Sequence, residues 1–182
     1  MSNYQVAIVA GSLRKDSFSE KLGNVLTQMF GDDFEAELVS IDGLELYNPD
    51  LETDTPPVRW TEFRAAIKAS DAVLFIAPEY NRSMPAGLKN AIDVGSQPGP
   101  ENVWNNMPGA VVSIGAGTIG GFGAAHHLRQ SVVYLNMLLM QAPEAYVAGI
   151  HTIFDEDGNV IVESTQTFLQ NVIDSFEAWV KK

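Results

Sequence analysis

The stretch Val6–Ser19, VAIVAGSLRKDSFS, decides how this chain is read. It opens on an uninterrupted apolar run, as a strand covered on both faces requires, and the run stops abruptly at Gly11. A short loop carrying Ser12, Arg14, Lys15 and Ser17 then leads into a helical pattern that begins near Ser19. This is the make-up of an anion site. Unpaired N–H groups at a helix start, a glycine that permits a tight turn, the hydroxyls of Ser12, Ser17 and Ser19, and the charge of Arg14 all suit a phosphate. The loop lacks the third glycine of the dinucleotide fingerprint and the Gly-Lys-Ser/Thr ending of a nucleoside triphosphate loop.

Working outward, three further apolar runs have the same character: Ala36–Ile41, Ala72–Ala77 and Ala110–Ile114, with Tyr4–Ala10 as the first of the set. Between them the period becomes helical. Leu22, Val25, Leu26 and Met29 form one stripe, and Trp60, Phe63 and Ile67 a second. Leu88 and Ile92, opened by Pro85, form a third; Leu128, Val132 and Leu135 carry a fourth; Phe168, Val172, Ile173, Phe176 and Trp179 close the chain. A fifth strand has two candidates, Met137–Met140 and Ala145–Ala148, separated by Ala142-Pro143. Strand and helix alternating in this way predict one α/β domain over residues 1–182, a flavodoxin-like fold with a five-stranded parallel sheet in the order 2-1-3-4-5.

In that order a ligand sits outside the carboxyl ends of the first, third and fourth strands. The chain places its least ordinary loops there: GSLRKDSFS, then PEYNRSMPAGLKNAID over Pro78–Asp93, then GAGTIGGFGAAHHLRQ over Gly115–Gln130. The rigid turn at Pro78, Glu79, Tyr80 and Asn81 can hydrogen-bond the edge of a planar heterocycle, with Tyr80 as a flat surface or as a core residue. Gly115, Gly117 and Gly120 match G-x-G-x-x-G, which admits a Rossmann-type NAD enzyme as an alternative. That motif belongs after the first strand of its unit, with an acid closing the next strand, and here only Glu144 follows, beyond a proline.

Composition narrows the classes. A net charge of -12 argues against nucleic acid and anionic membranes as partners, and with no cysteine there is neither thiolate chemistry nor iron–sulfur ligation. Met1–Gln5 does not read as an export signal, and no apolar run has spanning length, so the expected location is cytoplasmic. His126 and His127 are adjacent on a helix and point about 100° apart, which does not suit one metal ion; His151 stands alone, and no metal is expected. The carboxylates Asp32-Asp33 and Asp155–Asp157 read as solvated turns, and Ser17 has no His and Asp partners to make it a nucleophile.

Taken together and in order, the three loop motifs, with YNPDLE at Tyr47–Glu52, resemble the NADPH-dependent FMN reductase family, and most closely its quinone and chromate reductase branch. The resemblance implies bound FMN and NADPH or NADH as hydride donor. It also implies small-molecule acceptors, among them quinones, free flavins, azo compounds or chromate, reduced in ping-pong turnover. Carried over by motif position, Ser12, Arg14, Ser17, Ser19 and the Phe18 amide would hold the FMN phosphate. Pro78, Glu79, Tyr80 and Asn81 would line the ring, and Ser113 with Gly115 would approach its other side. No side chain is assigned as catalytic, because the flavin carries the chemistry. Relatives often have Gly where Asp16 stands and Asn where Ser19 stands. The family also implies a homodimer or homotetramer, with Asp42–Pro57 near the partner's flavin and the third and fourth helices at a two-fold axis. Arg82, beside the turn, is read either as a cation that steers anionic substrates or as an interface partner for Glu144. An FMN-binding electron carrier or flavin sensor without NADPH turnover is the alternative of another class.

Overall fold

Apolar runs that must be covered on both sides become the centre of a parallel sheet. In the computed structural model, which describes residues 3–182, these are β1 (Tyr4–Ala10), β2 (Phe34–Leu38), β3 (Ala72–Pro78) and β4 (Pro108–Ile114). Met1 and Ser2, the start of the stretch read as no export signal, lie outside the described residues. The helices are α1 (Phe18–Thr27), α2 (Val58–Lys68), α3 (Ala86–Gly95), α4 (Phe122–Tyr134) and α5 (Glu163–Val180). The sheet order is β2-β1-β3-β4, all parallel, as the flavodoxin-like reading expects.

The expected order 2-1-3-4-5 is present, and a sixth strand is added at the far edge. Both candidates for the fifth position are used: β5 (Leu138–Leu139) pairs with Pro108 and Gly109, and β6 (Ala145–Val147) pairs with Val112, Ser113 and Ile114. The sheet therefore has six strands, with two short ones sharing one edge of β4. Pro143 between them has no N–H to give the ladder, so the chain leaves β4 and rejoins it beyond the proline.

Alternate residues of each strand enter opposite layers, which is why the runs are apolar throughout. Ala7, Val9, Val73, Phe75 and Val111 pack under α2, α3 and α4 through Trp60, Phe63, Leu88, Ile92 and Leu128. Val6, Ile8, Leu74, Ile76 and Val112 pack under α1 and α5 through Leu22, Leu26, Leu169, Ile173 and Phe176. Trp104, fully buried in the α3–β4 connection, lies where a side chain at Gly95 would stand, 2.6 Å from its Cβ position, and donates Nε1–H to Ile92 O at 2.9 Å.

The long connection from Asp42 to Pro57 is held from its inner side. Arg64 makes a two-pronged contact with the Glu52 carboxylate at 2.9 and 2.7 Å and donates Nε–H to Val94 O. Asn90 accepts from the Tyr47 N–H and donates to Leu44 O and Glu45 O, and Trp60 Nε1 donates to Glu45 O. The outer side keeps Leu46 at 76% exposure.

Candidate cofactor site

The phosphate-like loop is built as its residue types require. Gly11 donates its N–H to Ile76 O at 2.9 Å, and a side chain there would stand 2.8 Å from Leu88 Cδ2, so only glycine lets β1 end beneath the β3–α3 connection. Ser12 Oγ accepts from the Arg14 N–H at 3.2 Å and tightens the turn. Asp16 follows with φ 53°, in the left-handed region that a glycine adopts most readily. Ser17 is the N-cap of α1, its Oγ accepting from the Glu20 N–H at 3.2 Å and lying 3.1 Å from Ser19 Oγ. Both serines are nearly buried, at 2% and 1% exposure. Among the described residues the first-turn N–H groups of Phe18 and Ser19 find no acceptor. The Arg14 guanidinium lies 5.6 Å from the Phe18 ring centroid, and that ring stacks on Phe154.

The second loop is a tight reversal. Tyr80 and Ser83 exchange both backbone hydrogen bonds at 2.9 Å, and the two residues between them, Asn81 at φ 51° and Arg82 at φ 65°, are both left-handed. Tyr80 is 54% exposed and is therefore not a core residue. Glu79 has a role that its sequence position does not reveal. Its Oε2 accepts from the N–H groups of Gly123 at 2.7 Å and Ala124 at 3.3 Å, capping α4, which has no side-chain cap of its own at Gly121. The same carboxylate faces Arg82, Nη1 to Oε1 being 3.2 Å. His127 Nδ1 stands 2.9 Å from Ser83 Oγ, so the first turns of α4 hold this loop at both ends.

In the third loop Ser113 has no exposed surface, and its hydroxyl lies 2.7 Å from Gly120 O and 3.3 Å from Ala145 O, so the side chain shapes the glycine loop from beneath. Gly115 spends its N–H on Val147 O and its carbonyl on the Ile150 N–H, which leaves only its bare Cα to approach a ring. Gly120 and Gly121 have positive φ, and side chains there would meet Tyr146 and Ile114 backbone atoms at 2.7 Å, whereas Gly117 faces open space. Gly115 and Gly120 of the apparent G-x-G-x-x-G are thus packing and turn positions. Beyond the loop Phe122, His126 and Tyr146 form an aromatic cluster. Burial and the neighbouring Glu144 push the Tyr146 hydroxyl up to about 12.

Loops two and three enclose one pocket of about 370 Å³, lined by Glu79, Arg82 and the segment 115–121. Loop one is not part of its wall, but β1, β3 and β4 are neighbours, and Leu13 packs against Gly87 at the start of α3. Residues 4–152 match the NADPH-dependent FMN reductase family. The chain belongs to that family. A quinone reductase of Pseudomonas putida is 49% identical over 178 residues, covering 98% of this chain and 95% of its own. A 2-hydroxy-1,4-benzoquinone reductase of a Burkholderia species is 41% identical, with 97% and 96% covered. Among solved structures, FerB, a flavoenzyme NAD(P)H:(acceptor) oxidoreductase of Paracoccus denitrificans, superposes with a TM-score of 0.90 at 39% identity over 98% of this chain and 97% of its own.

The residues present fit the FMN of an FMN reductase. First-turn N–H groups and a guanidinium that are unpaired among the described residues, with the paired hydroxyls of Ser17 and Ser19, suit a dianion at the start of α1. A pocket with glycine on one wall and an exposed tyrosine beside its other wall suits a flat ring. Within the chain Arg82 pairs with Glu79, while Glu144 stays exposed.

Proposed function

We propose that this protein is an FMN-dependent NAD(P)H:quinone oxidoreductase whose single flavin pocket receives donor and acceptor in turn. The observation that carries the reading is the dianion seat at the start of α1, on the same sheet edge as the glycine-walled pocket between loops two and three. Bound FMN supplies the redox chemistry, taking a hydride equivalent from the nicotinamide and passing two electrons to the acceptor. The chain's own residues position and shield. Ser12, Arg14, Ser17, Ser19 and the Phe18 N–H hold the phosphate end. The Pro78–Asn81 turn presents Tyr80 to one side of the ring, and Gly115–Gly117 leave the other side bare for a planar partner. Free flavins, azo compounds and chromate are further acceptors of the same open face, in the cytoplasm. Initial rates measured against both substrates test the reading: a parallel pattern is expected for alternate occupancy, and an intersecting pattern contradicts it.

Arg82 is proposed to draw anionic substrates to the mouth of the pocket. Its side chain is 73% exposed, and it stands on a protein whose field repels anions, with a formal charge of -12. Its contact with Glu79 is a single 3.2 Å hydrogen bond, and the rest of the guanidinium faces solvent, where an arriving phosphate competes for it. Arg82→Ala is expected to raise KM for NADPH and flatten its dependence on ionic strength, while reduction of neutral quinones by pre-reduced protein stays unchanged. A shift in oligomeric state with NADPH kinetics per flavin unaltered would instead assign Arg82 to an interface.

A homodimer or homotetramer completes the proposal. The strap from Asp42 to Pro57 is pinned from within yet presents Leu46 outward, and α4 presents Val133 at 60% and Tyr134 at 88% exposure. Light scattering at micromolar concentration is expected to give a single species of at least twice the chain mass, and a monomer would refute this.

A further inference from the structure

A second pocket, of about 390 Å³, opens at the carboxyl ends of β1 and β2 and shares no residue with the pocket between loops two and three. Ser12 and Arg14, which the function proposed above gives to the flavin phosphate, stand in its wall; that function leaves the rest of it, from Lys15 across to Asp42, unused. Its floor is apolar, formed by Ala10, Val39 and Ile41, and Leu13, 58% exposed in an otherwise polar loop, makes a wall. At the rim stand Lys15 and Arg14 on one side and Ser40 and Asp42 on the other, with Glu20 beside the loop. Among the described residues, none of the ion pairs of this strongly acidic protein involves Lys15, Arg14 or Asp42. The β2 side is held in shape: the Asp42 N–H donates to Ser40 Oγ at 3.1 Å, and Arg59 donates to Asp42 O at 3.2 and 3.0 Å and to Ser40 O at 3.4 Å.

Each part excludes simpler ligands. An inorganic anion has no use for an apolar floor, and an apolar ligand has no use for cations at the rim. A polyphosphate would meet the carboxylates of Asp42 and Glu20. What fits all three chemistries is a heterocyclic base on the floor, a sugar hydroxyl against Asp42 or Ser40, and one phosphate on Lys15, the cation left when Arg14 serves the flavin phosphate. The β2/β1 crevice lies two strand spacings from the β3/β4 crevice, about 10 Å along the sheet edge, so one dinucleotide can reach across both.

The geometry points to this pocket as the seat of the adenosine-phosphate end of the nicotinamide donor, with Lys15 taking the 2′-phosphate that distinguishes NADPH from NADH. This rests on the NAD(P)H-dependent reading above, but its test does not depend on turnover. Binding of 2′,5′-ADP and of 5′-AMP to FMN-loaded protein is measured by calorimetry, in the parent and in Lys15→Ala and Asp42→Asn. The 2′,5′-ADP is expected to bind the parent more tightly than 5′-AMP. Lys15→Ala should weaken 2′,5′-ADP roughly tenfold and leave 5′-AMP within about twofold, the loss expected for one charge-assisted contact. Asp42→Asn should weaken both probes. Equal binding of 2′,5′-ADP to parent and Lys15→Ala, or no binding to the parent, overturns the site. In parallel NADPH is mixed with the same protein: a flavin band that does not bleach sinks the NAD(P)H-dependent reading, while the calorimetry still decides the pocket.

Discussion

Replacing Arg14 by alanine is expected to release FMN from the purified protein on dilution, weakening retention by about 1.5–3 kcal/mol, or roughly 10- to 150-fold. The guanidinium sits over the Phe18 ring at the start of α1, where the first N–H groups have no acceptor among the described residues. Its contact with a phosphate is charge-assisted and directional, and a lysine supplies only part of it. Lys15 is the neighbouring cation, but an ammonium lacks the guanidinium's fork of donors and does not replace the group held on Phe18. Arg14→Lys should therefore fall between parent and alanine variant. Flavin released on passage through a desalting column, followed by absorbance, measures this. Full flavin retained by Arg14→Ala at nanomolar protein would show that the helix start and its serines hold the phosphate without it.

The second large effect is expected at Glu79. Its carboxylate caps α4 through Gly123 and Ala124 and is mostly shielded from water, at 15% exposure. Glu79→Ala leaves these N–H groups without a partner, and a lost hydrogen bond to a charged group costs about 1.5–3 kcal/mol. For a chain of this size that lowers Tm by about 3–12 °C. The same change cuts the tie between the Tyr80–Ser83 turn and α4, so FMN retention should fall as well. Glu79→Gln keeps an acceptor but loses the charge, and should recover part of the Tm while leaving Arg82 without its ion-pair partner. Thermal melting of the flavin-free protein separates the two effects. An apoprotein Tm unchanged in Glu79→Ala would mean that the cap carries no stability.

Much of this was legible in the residues because the signals are local. Both-face burial writes itself as an unbroken apolar run, as in Val6–Ala10, and a glycine followed by serines and an arginine marks a helix start built for an anion. The sheet edge was half legible: two candidate runs and an intervening proline were visible, but pairing of both runs with one strand is a choice made by β4, distant in sequence. The hydrogen bonds of Glu79 and Ser113 were not legible for the same reason. Each was placed toward the ring by its motif, yet Glu79 spends its carboxylate on N–H groups 44 and 45 residues away, and Ser113 is enclosed by Gly120 and Ala145. Trp104 lies in a loop with no periodicity to mark it, and its burial is set by the bare face of Gly95. The turn at Pro78–Asn81 was legible, but the left-handed conformation of both Asn81 and Arg82 was not, and such strain in a pair of non-glycine residues gathers where a site needs a fixed shape.

Two-electron transfer from a nicotinamide to a quinone through one bound flavin is open to a single experiment, anaerobic rapid mixing of the FMN-loaded protein first with one equivalent of NADPH and then with a benzoquinone. The flavin band is expected to bleach fully before quinone is added and to return as one equivalent of hydroquinone forms. A band that stays unbleached with NADPH, or that bleaches and does not recover with quinone, would contradict it.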